Sequence, residues 1–138
     1  MDRSPEQPLG SFSFRVQIGT GRAALRLGFT MVEFPPLRIP GAPSAQLLDA
    51  APALLVLHRA STRSLDLYTW WNTTRHARRV VGRTVLVELL DATGEGALRS
   101  WRFTGCKPVM LHYSPLDAQR SALLVESLSL SFSDVEIG

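Results

Sequence analysis

Hydrophobic and polar positions alternate strictly near the start of the chain. Apolar residues from Phe12 to Ile18 are separated by polar ones, and Gly19-Thr20-Gly21 follows. A period of two that is rich in aromatic and β-branched residues is typical of a strand with one buried face. The pattern predicts an opening strand, a turn at the glycines and a return strand over Leu25–Val32.

Prolines interrupt the pattern between residues 33 and 52. Proline donates no backbone hydrogen bond, so this stretch is predicted to be a long surface loop rather than a central strand or a helix. A structureless stretch of this length in a compact domain is usually functional. Its apolar residues Leu47 and Leu48 indicate packing, and a neighbouring subunit is one candidate. The prolines are Pro35, Pro36, Pro40, Pro43 and Pro52.

One helix is predicted after a buried strand over Ala53–Arg59. Ser61 or Thr62 can cap it, and an apolar stripe follows at helical spacing. The helix is expected to pack this stripe on a sheet, and its basic end suits the helix dipole. The stripe is Leu67, Trp70 and Trp71, and the basic group is Arg75, Arg78 and Arg79.

The remaining chain reads as strands and turns. Asp91–Gly96 is predicted to be a hairpin turn. In the last predicted strand the apolar phase changes, which predicts a β-bulge or bend near Glu126 and Ser127. The predicted strands are Arg83–Leu90, Leu98–Thr104, Lys107–Tyr113 and Ser121–Phe132.

These elements define the expected fold class, which is mainly β. Because one helix cannot supply several parallel crossovers, the sheet must be mainly antiparallel. We predict a small antiparallel β-barrel or sandwich with one packed α-helix. A flexible N-terminal arm over residues 1–10 should precede a single domain over residues 11–138.

Charge and composition narrow the function classes. The 138 residues carry 15 basic and 12 acidic side chains, giving a net charge of +3. A nucleic-acid binder is therefore one alternative, but the arginines are scattered and the dense group suits a helix end. The sequence contains neither an apolar run long enough to span a bilayer nor a signal segment. The protein is expected to stay in the cytoplasm and not to insert into membranes.

Reactive side chains are not grouped in the sequence. His58, His76 and His112 lack the spacing of a metal site, and the lone Cys106 is expected to be a buried, inert thiol. We therefore predict no catalytic, metal or cofactor site and no enzymatic activity. Trp70 and Trp71 leave one alternative of another class, a monomeric β module that binds a sugar or peptide.

An ordered series of short motifs from Leu57 onward resembles the tail-tube protein family of contractile phages and extracellular contractile injection systems. The opening strand and Gly28-Phe29 are similar to the family as well. In the middle loop, which is shorter than the family's glycine-rich segment, only Ile39-Pro40-Gly41 resembles the typical Leu-Pro-Gly. The motifs are Leu57–Ala60, Leu67–Trp71, Arg75–Arg79, Val85–Leu90, Asp91-x-x-Gly94, Trp101-x-Phe103, Lys107–Val109, Ser114–Ala118 and Val125–Leu130.

The resemblance implies a structural subunit that forms hexameric rings, which stack into an inner tube for effectors or DNA. Partners would be further copies of the chain, the sheath and baseplate proteins, and cargo in the lumen. The short loop keeps a second possibility open, a baseplate tube initiator or a specialised paralogue.

Two groups of residues are candidate contact sites. The first is expected at interfaces between subunits or rings, because the loop is proline-rich and exposes apolar residues. The second group contains candidates to face the channel, and some of them are expected to do so, because they lie on polar strand faces. The first group is Pro36, Ile39, Pro40, Leu47, Leu48 and Arg59, and the second is Arg15, Arg26, Arg99 and Arg102.

Overall fold

The computed structural model describes residues 7–10, 13–21, 25–39 and 53–138. Most of the predicted N-terminal arm and the loop residues Pro40, Leu47 and Leu48 lie outside this part of the chain. The described elements are β1 (Phe14–Ile18), β2 (Leu25–Leu27), β3 (Met31–Glu33), β4 (Leu55–Ala60), α1 (Asp66–His76), β5 (Arg83–Leu90), β6 (Ala97–Tyr113), β7 (Val125–Ser131) and β8 (Asp134–Ile137).

The strands form two antiparallel sheets that share one strand. The first sheet has the order β2-β1-β5-β6-β8, and the second has the order β3-β4-β7-β6. The predicted fold class, a mainly β antiparallel fold with one packed helix, is confirmed.

Strand β6 crosses from one sheet to the other at Gly105. The predicted strands Leu98–Thr104 and Lys107–Tyr113 are therefore two halves of one 17-residue strand. Gly105 has a φ of 66°, which a residue without a Cβ adopts at no steric cost. A Cβ on Gly82 would lie 2.6 Å from the Gly105 backbone, so both glycines allow the chain to turn this corner closely.

The predicted bulge near Glu126 and Ser127 is wrong. Strand β7 pairs with β4 in one uninterrupted register over residues 125–130. The register shift lies on the partner strand β6, between Pro108 and Met110. Proline has no N–H for the ladder, which accounts for an irregularity at this point. The phase change in the β7 sequence has another cause, because Glu126 is buried with the apolar residues as part of an ion pair.

The predicted return strand over Leu25–Val32 is divided between the two sheets. Strand β2 pairs with β1 in the first sheet, and β3 pairs with β4 in the second. Phe29, between them, is buried in the core. The segment therefore carries the chain from one sheet to the other.

The core fills the space between the two sheets. Its central side chains come from both sheets and from α1, and all of them are less than 9% exposed. Burying each large apolar side chain contributes about 1.5–3 kcal/mol. These residues include Val16, Leu55, Leu57, Leu67, Trp70, Val87, Phe103, Leu128 and Leu130.

Candidate functional site

A buried ion-pair cluster fixes helix α1 to the second sheet. Arg59 on β4 lies opposite Glu126 on β7, and its Nε donates to Glu126 Oε1 at 2.5 Å. The same guanidinium donates to both carboxylate oxygens of Asp66, the first residue of α1. Burial opposes the charge of Arg59, but the hydrogen bonds to Asp66 and Glu126 outweigh it and raise the pKa. The Arg59 hydrogen bonds also lower the pKa of Asp66.

This cluster contains two residues that were singled out in the sequence. Arg59 was a candidate interface residue, but it is only 6% exposed and its guanidinium is committed to partners in its own chain. Ser61 was a candidate helix cap, but its hydroxyl lies 3.4 Å from Glu126 Oε2 and the helix begins five residues later. The Arg59 guanidinium and the Ser61 hydroxyl therefore both belong to the cluster that holds α1 on the sheet.

A polar row crosses the outer face of the second sheet. His58 Nδ1 lies 2.6 Å from Ser127 Oγ, and His58 Nε2 lies 2.7 Å from Glu33 Oε2. No local pattern in the sequence predicts this row, because its three members come from distant strands and only the β3–β4–β7 register brings them together. Ser127 lies within a strand that is paired on both sides. The backbone N–H groups around it therefore donate to the neighbouring strands and do not form an oxyanion hole beside the serine.

Cys106 lies at the β6 corner and is fully buried. Burial raises the pKa of its thiol to about 11. A thiol is nucleophilic as the thiolate, so this environment suppresses its reactivity. Among the described residues, no group of three or more His, Cys, Asp or Glu side chains could hold a metal ion.

The two adjacent tryptophans have different surroundings. Trp70 is 5% exposed and belongs to the core. Trp71 lies on the helix between Tyr68, with ring centroids 6.1 Å apart, and Arg75, whose guanidinium is 4.8 Å from the ring centre. The pair therefore does not present a shared stacking platform for a ligand. No described helix is long and apolar enough to cross a membrane.

The candidate channel residues do not all lie on one face. The register places Arg15 and Arg102 on the outer face of the first sheet, and Arg26 pairs in the ladder with Gln17 of β1. Arg99 instead pairs with Leu89 and shares the opposite face with Trp101. The four residues therefore cannot line one surface together. Arg15 also forms a 2.8 Å ion pair with Glu88 on this outer face.

The segment after β3 exposes apolar side chains beside the first sheet. Phe34 packs against Trp101 with ring centroids 4.6 Å apart. Pro36 is exposed, and Leu37 and Ile39 are 56% and 77% exposed. Trp101 pairs across the ladder with Ile137 of β8, so the segment runs close to that edge of the sheet.

The first sheet ends in two unpaired strand edges. Within the described residues, β2 pairs with β1 alone and β8 pairs with β6 alone. Such edges present backbone donors and acceptors to another chain. An exposed apolar segment next to one of them adds side-chain area to the same surface.

Within the described residues, two antiparallel sheets joined by a shared strand, with a helix packed at the side, define a mainly β protein with two layers. Residues 52–136 match the T4-like virus tail tube protein gp19 family. The chain belongs to this family of structural tail tube proteins, and the resemblance predicted from the sequence is confirmed.

Solved structures share the whole fold at low sequence identity. A sheath–tube complex of the PVC extracellular contractile injection system matches with 17% identity and a TM-score of 0.75, covering 97% of this chain and 93% of that one. The tube-terminating cap of the anti-feeding prophage matches with 18% identity and a TM-score of 0.78, covering 100% and 95%.

Hcp1 from Flavobacterium johnsoniae matches with 15% identity and a TM-score of 0.63, covering 92% of this chain and 95% of that one. No curated protein sequence matches the chain. At these identities the likeness establishes the fold.

Proposed function

We propose that the chain forms closed hexameric rings that stack coaxially into the inner tube of a phage-tail-like contractile injection particle. The observation that carries this proposal is the pair of open edges, β2 and β8, at opposite ends of one sheet. A head-to-tail contact between two different surfaces makes a ring when its rotation closes. Family membership supports the same conclusion.

Strand pairing would supply the contact between subunits. Each new backbone hydrogen bond contributes a net 0.5–1.5 kcal/mol, approximately, so a ring needs several at each interface. Burial of Leu37 and Ile39 on the neighbour would add to them, because both are exposed beside β8. Pro36 belongs to the same proposed contact, as do Pro40, Leu47 and Leu48 outside the described residues.

The outer face of the first sheet would then line the channel. It carries Arg15 and Arg102, together with Glu88 and Glu136 on paired strands. Arg26, on β2, stays a candidate for the same lining. We propose this face as the surface that cargo meets. Sheath and baseplate proteins would contact the assembly from outside and from its end, in a particle assembled in the cytoplasm.

A proline substitution at the free edge of β8 tests whether this edge is needed for ring formation. Gly138 and Ser100 exchange both backbone hydrogen bonds, so the Ile137 N–H faces away from β6, at the free edge. Ile137→Pro should remove one edge donor from every interface and so weaken ring formation while the monomer stays folded. Ile137→Val is the matched control, because it keeps the N–H and should form rings.

The measurements are mass photometry for the hexamer and negative-stain microscopy for rings and tubes. A wild-type protein that stays monomeric at every concentration would disprove the proposal. Rings present once per particle, and not along its length, would assign the chain to the baseplate-initiator role instead.

A further inference from the structure

One end of the first sheet carries an uncompensated basic surface. Its arginines are all exposed, and no acidic residue occurs in the sequence between Asp66 and Glu88. Within the described chain, none of these arginines lies within ion-pair distance of a carboxylate. This basic end consists of Arg75, Arg78, Arg79 and Arg83, from the end of α1 to the start of β5.

Packing holds two of these charges in place. The Arg75 guanidinium lies 4.8 Å from the Trp71 ring centre, and its Nε donates to Asn72 Oδ1 at 2.8 Å. Arg83 lies 4.8 Å from the Trp70 ring centre. Cation–π contacts leave the charge unneutralised, so the surface keeps its attraction for an anionic partner.

The other end of strand β5 carries negative charge. The β5–β6 turn over Asp91–Gly96 contains Asp91 and the exposed Glu95. Asp91 Oδ1 accepts hydrogen bonds from the Thr93 N–H and hydroxyl, which lower the pKa of Asp91 and keep it ionised. Arg99 follows on β6, beyond the tip of the turn. At about 3.3 Å per residue, the eight residues of β5 separate the two ends by roughly 25 Å.

We infer that the acidic turn of one copy docks on the basic end of a second copy in the next ring. This inference rests on the proposed tube function. A stacked tube brings opposite ends of identical subunits together, and complementary charges fix the direction and register of such a contact. An inverted copy would place one basic end against another, so the same charges oppose stacking in the wrong direction.

Nucleic acid is the competing partner for a basic surface. The observations favour a second copy because this chain carries its own acidic complement at the far end of the same strand. The net charge of the whole chain is also only +3, which is a small excess for a protein that binds nucleic acid.

A charge-swap series tests the contact. R78E/R79E and, separately, E95R should leave rings intact, because none of these residues lies on β2 or β8. Each should weaken stacking at least about tenfold, since every subunit of a ring repeats the contact. The combined R78E/R79E/E95R variant should recover stacking. R63E/R120E is the matched control, because it changes the net charge equally at two other exposed arginines.

Sedimentation at low and high salt and tube lengths by electron microscopy give the readout. Wild-type stacking should weaken as salt rises. Rings that fail to stack at low salt, unaltered stacking in R78E/R79E, or failure of the combined variant to recover would each overturn the inference. Binding of labelled poly(dT) that is lost in R78E/R79E without a change in stacking would assign the surface to nucleic acid. Absence of wild-type rings would instead refute the tube function itself.

Discussion

Arg59 and Glu126 face each other across neighbouring strands and form a buried ion pair in the second sheet. The Nε–Oε1 distance is 2.5 Å, and the residues are 6% and 3% exposed. Asp66 closes the cluster from the first turn of α1. One guanidinium therefore connects two strands and the helix.

Removing one partner of this pair should destabilise the protein strongly. Glu126→Leu leaves the Arg59 charge buried without its strand partner, so we expect the free energy of unfolding to fall by about 3–5 kcal/mol. The double variant Arg59→Met/Glu126→Leu should recover a large part of the loss, because no buried charge remains. Urea unfolding followed by tryptophan fluorescence measures both. A double variant no more stable than Glu126→Leu would contradict this account.

The Asp66 carboxylate should make stability depend on pH. Its hydrogen bonds to Arg59 lower its pKa in the folded state, whereas an unfolded aspartate titrates near pH 3.9, roughly. The stabilisation is therefore complete above that pH and is lost as pH falls through the folded pKa.

Asp66→Asn should show this dependence directly. The variant should be less stable than wild type near neutral pH, and the difference should shrink below about pH 4. Glu95→Gln, which neutralises an exposed carboxylate, is the control. A wild-type to Asp66→Asn difference that stays constant into acid would exclude this role for Asp66.

The corner glycine of β6 should be sensitive to a single methyl group. Gly105 and Gly94 have φ values of 66° and 76°, so alanine at either position should cost about 1–2 kcal/mol. At Gly105 the added Cβ would also collide with the Ser133 side chain, whereas nothing lies within 4 Å at Gly94. Thermal unfolding should therefore show a larger loss for Gly105→Ala than for Gly94→Ala. Equal losses would show that the corner can relax around the methyl group.

Cys106 should resist thiol reagents in the folded protein. Its side chain is fully buried and its thiol pKa is raised to about 11, so little thiolate is available near neutral pH. Labelling should be slow under native conditions and fast in guanidinium chloride. Ala92→Cys places a thiol at an exposed turn position and should react at once. Rapid native labelling of Cys106 would show that the corner opens.

The exposed apolar segment should matter for assembly and not for folding. Leu37→Ser/Ile39→Ser alters two side chains that are already more than half exposed, so the melting temperature should change little. Ring formation by mass photometry should fall, because the proposed interface loses apolar area. Leu116→Ser, at an 87% exposed position on another loop, is the control. Unchanged assembly in the double variant would remove this segment from the interface.

The periodicity of apolar residues predicted those elements in which one buried face determines which positions are apolar. Strand β5 has the predicted bounds Arg83–Leu90, because its buried positions Val85, Val87 and Leu89 are all apolar and recur with a period of two. The helix is present as predicted, and its first residue, Asp66, forms an ion pair with Arg59. That pair joins residues on separate elements, so no local signal reveals it.

Long-range pairing explains what the sequence did not predict. Two predicted strands are one strand, β6. Their separation was predicted because a glycine such as Gly105 usually interrupts a strand, whereas in the structure Gly82 and Ser133 pack closely against it. The same holds for the candidate surfaces. The sequence predicts that Arg99 and Arg102 are both exposed on a polar strand face. The β5–β6 register instead places them on opposite faces of the sheet.

Strand β6 continues from Ala97 to Tyr113 through both sheets. A mechanical load on either sheet is therefore transmitted to the other along covalent bonds, and not solely through the side chains between them. The two layers cannot shear past one another without breaking the hydrogen-bond ladders of this strand on both sides. Any movement of one sheet relative to the other must therefore also bend or stretch the backbone of this strand.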